Sequence, residues 1–528
     1  MGKRSVIQFL AILISASMLG GCGLSRSAKD EMSDTAAAAE YSTVEYFSAE
    51  EAFGTSYNFD EKEREFHTEE YNEVTENGFL SVKTNPLSTF AADVDTASYA
   101  NLRRMILAGQ TVDSGAVRVE EMLNYFHYDY PEPKEGEPFS VITELADCPW
   151  NQNSQLLLVG MQASKIDPDE IPPSNLVFLI DTSGSMSSAD KLPLVQQAFR
   201  LLCESLGEDD RISIVTYAST DEVVLLGASG DETGRIMEAV ENLEAGGSTA
   251  GAAGIQTAYE IAAENYIKGG NNRVILATDG DLNVGISSES QLTKLIKEKA
   301  KSGVDLSVMG FGTGNIKDNK MEALADNGNG NYSYIDSLAE ARKVLFEEMD
   351  ATLFTVAKDV KFQVEFNPAM VSEYRLIGYE NRKMADRDFA DDTKDGGEIG
   401  AGHRVTVLYE IVRPDSGENE IDLKYHESKN IESDEWLTVN VRYKEPKGRE
   451  SRLLSYPVGQ EACTDKMSDN LKFAACVAQT GMLLRDSEYA GSADYQNVLK
   501  QMDDIEDLKA DDYKDEFYYL VKKLAKNS

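Results

Sequence analysis

Histidine, cysteine and tryptophan are scarce in this 528-residue chain, with four, five and two copies. The histidines (His67, His127, His403 and His426) are scattered without metalloprotease spacing, and no Cys-x-x-Cys occurs. Zinc chemistry is therefore disfavoured. The chain also lacks a Gly-x-Ser-x-Gly elbow and a phosphate loop ending in Gly-Lys-Ser/Thr. Gly310-Phe-Gly-Thr-Gly314 misses the third glycine of a dinucleotide fingerprint, which argues against NAD. Basic residues are few, 51 against 92 acidic, for a net charge of −41. Such a field disfavours nucleic acid and bare anionic lipid, and it enriches divalent cations locally.

Long apolar runs are also missing, except near the start. Lys3 and Arg4 precede an apolar stretch from Val6 to Leu19. That is shorter than the 18 or more residues of a membrane span and has the form of a secretion signal over residues 1–21. It ends in Leu19-Gly20-Gly21-Cys22, which resembles a bacterial lipobox with Cys22 as the acylated first residue of the mature chain. Ordinary cleavage, with Cys22 merely nearby, is the alternative. A lipid anchor at Cys22 would hold the protein to the outside of a bacterial membrane. Of the remaining cysteines, Cys203 lies in an apolar helical pattern as a core thiol, and Cys148 stands between two strand patterns. Cys463 and Cys476 are placed so that they could pair in an exported protein, although nothing else requires it.

Composition and periodicity divide the mature chain. Residues 22–84 are acidic and rich in small residues, a flexible tether whose scattered Tyr and Phe invite partial docking. Residues 85–138 carry two helical patterns, Thr96–Leu107 and Val119–Phe126. Residues 139–173 hold two strands, Phe139–Leu145 and Gln155–Gly160. Residues 174–352 alternate strands and helices, the sign of a doubly wound α/β sheet. A hairpin places the third strand, Glu222–Leu226, antiparallel at an edge. The last helix of this part is read as Leu338–Ala351. Residues 353–445 return to strands (Asp359–Phe366, Tyr374–Tyr379, Arg404–Val412, Ile421–Tyr425 and Trp436–Tyr443), and residues 446–528 read as helices, Ser468–Leu484 and Tyr495–Leu524. This order suggests one β-sandwich, built from 139–163 and 359–443, with the α/β domain inserted in it. Asp386–Glu398 is acidic but lacks the EF-hand spacing, and it reads as a loop.

The most informative run is Asn175-Leu-Val-Phe-Leu-Ile-Asp181-Thr-Ser183-Gly-Ser185. Leu176–Ile180 is a buried parallel strand by composition, and it delivers Asp-x-Ser-x-Ser to the end where open α/β sheets bind ligands. A carboxylate and two hydroxyls form a hard-oxygen set suited to Mg²⁺ or Mn²⁺. Thr249 lies in the glycine-rich turn Gly246–Gly251, and Asp279 ends a second apolar strand, Arg273–Thr278. Together, Asp181, Ser183, Ser185, Thr249 and Asp279 resemble the metal-ion-dependent adhesion site of the von Willebrand factor type A (VWA) family. The flanks, Asn85–Ala100, Arg118–Phe126 and Leu483–Tyr489, resemble bacterial VWA lipoproteins with an extra N-terminal region and a C-terminal domain of unknown function.

The resemblance implies that the serines and Thr249 touch the metal while the two Asp act through water. The ion is then left under-neutralised and attracts an Asp or Glu of a partner protein as its last ligand. The function expected is therefore metal-bridged binding of a protein partner by a non-enzymatic cell-envelope lipoprotein. Two alternatives stand beside it: a hydrolase that uses the metal to activate water, and a structural envelope component whose site is vestigial. For Ser183 or Ser185 as a nucleophile, only carboxylates are close in sequence.

Overall fold

The strand that carries Asp181 is apolar along its length because it is covered on both faces. The computed structural model describes residues 69–92, 95–167, 170–248, 251–280, 289–314, 316–414, 433–446 and 448–527. Within them, β1 (Leu80–Ser81), β2 (Leu87–Ala91), β3 (Phe139–Asp147) and β4 (Gln155–Ala163) come first. The α/β part holds β5 (Ser174–Asp181), β6 (Arg211–Tyr217), β7 (Asp221–Ser229), β8 (Asn271–Thr278), β9 (Asp305–Phe311) and β10 (Tyr332–Ile335). After it come β11 (Thr355–Phe366), β12 (Glu373–Ile377), β13 (Gly397–Gly400), β14 (Arg404–Val412), β15 (Leu437–Lys444) and β16 (Ser451–Val458).

The central sheet runs β10-β9-β8-β5-β6-β7, parallel except for the antiparallel edge strand β7. Side chains alternate along β5. Leu176, Phe178 and Ile180 pack with the Leu192–Cys203 helix on one face. Val177 and Leu179 pack with the Gly251–Glu264 helix on the other. This is the VWA-like α/β fold that the sequence leads one to expect.

The flanking strands build two antiparallel sheets, β1-β12-β14-β4-β3 and β13-β11-β15-β16, with β2 also paired to β11. Leu157, Val159 and Met161 of β4 pack with Phe362, Val364, Val439 and Val441 of the facing sheet, so strands from both sides of the α/β domain share one sandwich core. The opposite face of β4, Leu156 and Leu158, is covered by a layer of helices. These are Ala97–Ala108, Val119–Asn124, Asp469–Leu484, Tyr495–Asp503 and Asp512–Asn527. Close packing fixes Gly160, because a Cβ there would fall 2.6 Å from the Tyr130 ring.

Several boundaries differ from the sequence reading. Part of the expected tether is anchored: Asn77 donates to the carbonyls of Leu376 (3.1 Å) and Gly378 (2.8 Å). Leu87–Ala91 is a sandwich strand within the segment read as helical, and Ser451–Val458 is a further strand on β15. Tyr495–Leu524 is two helices joined by a short turn at Leu508–Ala510. The last helix of the α/β part is broken into Leu338–Arg342, a π-helical turn at Lys343–Glu347, and Met349–Leu353. Cys148, Cys203, Cys463 and Cys476 are free thiols, so Cys463 and Cys476 do not pair. The signal segment, Cys22, most of the tether and the Ile421–Tyr425 strand lie outside the described residues. No helix among the described residues is long and apolar enough to cross a membrane.

Candidate metal centre

Two neighbouring parallel strands bring the acidic groups together. β5 and β8 pair with Ile180 opposite Ala277, so Asp181 and Thr278-Asp279 leave the sheet side by side. Asp181 is fully buried, and Asp279 and Ser183 are 1% and 2% exposed. The backbone turns sharply after Asp181, and Ser183 N–H donates to Asp181 Oδ1 at 2.8 Å. Thr278 Oγ1 donates to Asp181 Oδ2 at 3.3 Å, which fixes the second carboxylate oxygen. The turn brings Ser183 Oγ within 3.0 Å of Ser185 Oγ. Adjacent ligands of an octahedral Mg²⁺ with bonds of 2.0–2.1 Å lie ~2.9 Å apart, so the serine pair has the spacing of two neighbouring metal ligands.

A second loop closes over the first. Gly246 N–H donates to Thr182 O at 2.8 Å, and Gly184 N–H donates to Gly247 O at 3.2 Å. Gly247 has φ +83°, and a Cβ there would meet Ser219 Oγ at 2.7 Å, so this turn needs glycine. The loop leads directly to Thr249, which lies outside the described residues. Asp181, Ser183, Ser185 and Asp279 are thus brought together, and the turn before Thr249 is laid against them.

Burial pushes the Asp181 carboxyl up to about 6, the charge of Asp279 adds to this, and the hydrogen bonds from Ser183 oppose it. Tyr217, opposite Asp181 on β6, is fully buried and its hydroxyl is raised by burial and by that carboxylate. The two carboxylates thus sit near one another where little water reaches them. A hard divalent ion matches this donor set of two buried carboxylates and two hydroxyls.

One member of the site escaped the sequence reading. Lys191 Nζ donates to Asp279 Oδ2 at 2.9 Å, with the Lys191 and Asp279 side chains 8% and 0% exposed. Lys191 directly precedes the Leu192–Cys203 helix, and no motif or periodicity marks it. The available signal was the glycine-rich Gly310–Gly314 loop. At Gly312, φ is +75° and a Cβ would lie 2.2 Å from Lys191 Cγ.

Comparison with known proteins follows the same division of the chain. Residues 175–348 match the family model described as von Willebrand factor type A domain, and residues 65–158 one described as von Willebrand factor. Residues 351–526 match one described as uncharacterized protein YfbK, C-terminal. The chain is 43% identical over 465 residues to the uncharacterized protein YfbK of Escherichia coli (strain K12), covering 86% of this chain and 80% of that protein. The chain belongs to the YfbK family of VWA proteins. It is 30% identical over 210 residues to the uncharacterized protein sll0103 of Synechocystis sp., covering 39% of this chain and 48% of that one. Among solved structures, a von Willebrand factor type A protein from Catenulispora acidiphila is similar, with 17% identity, a TM-score of 0.39, and coverage of 71% and 88%. VWA domains commonly mediate protein–protein interactions.

Proposed function

We propose that this YfbK-family protein is an extracytoplasmic lipoprotein, anchored at Cys22, that holds a protein partner through Mg²⁺ or Mn²⁺ at Asp181, Ser183, Ser185, Thr249 and Asp279. The observation that carries the reading is the convergence of two buried carboxylates and two hydroxyls, the hydroxyl oxygens 3.0 Å apart, at the ends of neighbouring parallel strands. The bound ion supplies a Lewis-acidic contact for a partner's Asp or Glu. The protein's own groups do the rest. Ser183 and Ser185 offer neutral oxygens, which leave the ion's charge available to the partner. Asp181 is held by Ser183 N–H and Thr278 Oγ1, which orients its carboxylate. The loop at Gly246–Ser248 is braced by hydrogen bonds to Thr182 and Gly184.

The test is capture of a partner from membranes in Mg²⁺ and in EDTA, with Asp181→Ala as control. The wild type retains a specific protein only in Mg²⁺, and the variant retains none. Capture that survives EDTA and Asp181→Ala unchanged sinks the metal bridge. Separately, Cys22→Ser moves the protein out of the membrane fraction, and persistence there means that another anchor operates.

A further inference from the structure

Lys191 places a fixed positive charge beside a carboxylate of the metal site. A buried ammonium is costly unless it is paired, and this one is paired to Asp279 Oδ2 at 2.9 Å with both side chains almost wholly enclosed. The placement is built, not incidental. The Lys191 stem crosses the backbone at Gly312, where a Cβ would lie 2.2 Å from Cγ and 2.4 Å from Cε, so only glycine leaves the channel open. Tyr334 Oη donates to Gly312 O at 2.7 Å and Thr313 Oγ1 donates to Asp190 Oδ2 at 3.3 Å, pinning this loop to the residue just before Lys191. The glycine at position 312 in the loop after β9 is thereby accounted for.

Resting on the metal reading of the site, we propose that Lys191 is a tethered counter-cation that competes with the divalent ion for Asp279 and holds the site's metal affinity down. An ammonium and a divalent ion drawn to one buried carboxylate repel each other strongly, because water screens them poorly there. With Lys191 in place, the two carboxylates bring a net charge of only −1 to the ion. An incoming partner carboxylate restores the missing negative charge, so metal and partner bind with positive, reciprocal coupling. Lys191 thereby makes firm metal binding conditional on the partner.

The experiment is Mg²⁺ and Mn²⁺ calorimetry on the full mature chain for wild type, Lys191→Met and Lys191→Gln, with melting temperatures in EDTA and in Mg²⁺. Glutamine keeps a donor for Asp279 and preserves the packing if methionine does not. The neutral variants bind Mg²⁺ roughly tenfold more tightly than wild type, equivalent to about 1.4 kcal/mol. They also melt lower in EDTA and recover more of that loss on adding Mg²⁺. Equal or weaker binding by a folded neutral variant overturns the inference and leaves the metal reading standing. Absence of binding in wild type and both variants overturns the metal reading, and this inference with it.

Discussion

Arg103 is one of the largest single concentrations of charge pairing in the interior. It is 2% exposed, and its guanidinium meets Asp336, Glu340 (2.8 Å) and Glu516 (3.1 Å). Removing one member of such a cluster leaves uncompensated buried carboxylates, which costs about 3–5 kcal/mol. Arg103→Met is therefore expected to lower unfolding free energy by about that amount in urea melts, without altering metal affinity. His403 gives a pH signature. Its Nε2 is buried without a partner, and burial, with help from Lys343, Arg404 and His127 against the opposing Glu348, lowers its pKa to about 4. The unfolded chain takes up a proton near pH 6.5 that the folded chain refuses until about 4, so His403's contribution to stability falls as pH drops through that window. For one proton the slope is about 1.4 kcal/mol per pH unit, and His403→Asn should flatten the melting-temperature profile between those limits. The candidate site was legible because Asp181, Ser183 and Ser185 fall within five residues at one strand end and Asp279 follows a plain apolar strand. Lys191 and Arg103 were not, because a partner far along the chain leaves no local trace.

At the scale of elements, the apolar period of Leu338–Ala351 fits one helix, and the structure breaks it. Ala341, Val344 and Leu345 are buried as a continuous helix would have them. At the distortion Lys343 pairs its ammonium with Glu348, five residues on, and places it 4.4 Å from the centre of the Tyr125 ring. The Lys343–Glu348 pair spans the wider i to i+5 spacing of the π turn. The Tyr125 contact is tertiary, and no periodicity encodes it. The consequence is a weak element: two five-residue helices around a π turn, with Leu338 43% and Phe346 38% exposed. Amides of 343–353 are expected to exchange well before those of the buried Asp469–Leu484 helix in native-state hydrogen exchange. Equal protection would mean that the break is energetically neutral. β16 was missed for the opposite reason. Its largely exposed pattern with Pro457 suits an edge strand, and its pairing with β15 is what makes it a strand.

Across the whole molecule, the strand order is what pointed to the split sandwich, because a pair of strands before the α/β segment and several strands after it are each too few to close a core alone. The structure joins the two groups: β4 lies between β3 and β14, with Val159 opposite Val407 and Leu157 opposite Tyr409. What composition could not reveal is how tightly the inserted domain is tied to its host. Buried Arg118 reaches Asp318 of the α/β domain while also holding Glu121, and Arg382 from the sandwich side meets Asp95, Glu322 and Asp326. Ion pairs of this kind cross between parts that a simple insertion would leave independent. The melting behaviour should follow. Residues 69–528 are expected to unfold in one calorimetric transition, since separating the α/β domain would strand Arg103 and Arg118 against unpaired acids. Residues 359–528 alone keep β14 but lose β4, so Val405, Val407, Tyr409 and Ile411 lose the strand beside them in the sandwich core. An open, apolar sheet edge of that kind pairs with other copies. That piece is expected to aggregate, and co-expression with 69–173, which carries β1 to β4, should raise its soluble yield. A soluble, cooperatively melting 359–528 monomer would show that the sandwich does not need its first half, and two separated transitions in the intact chain would show that the buried ion pairs do not couple the domains.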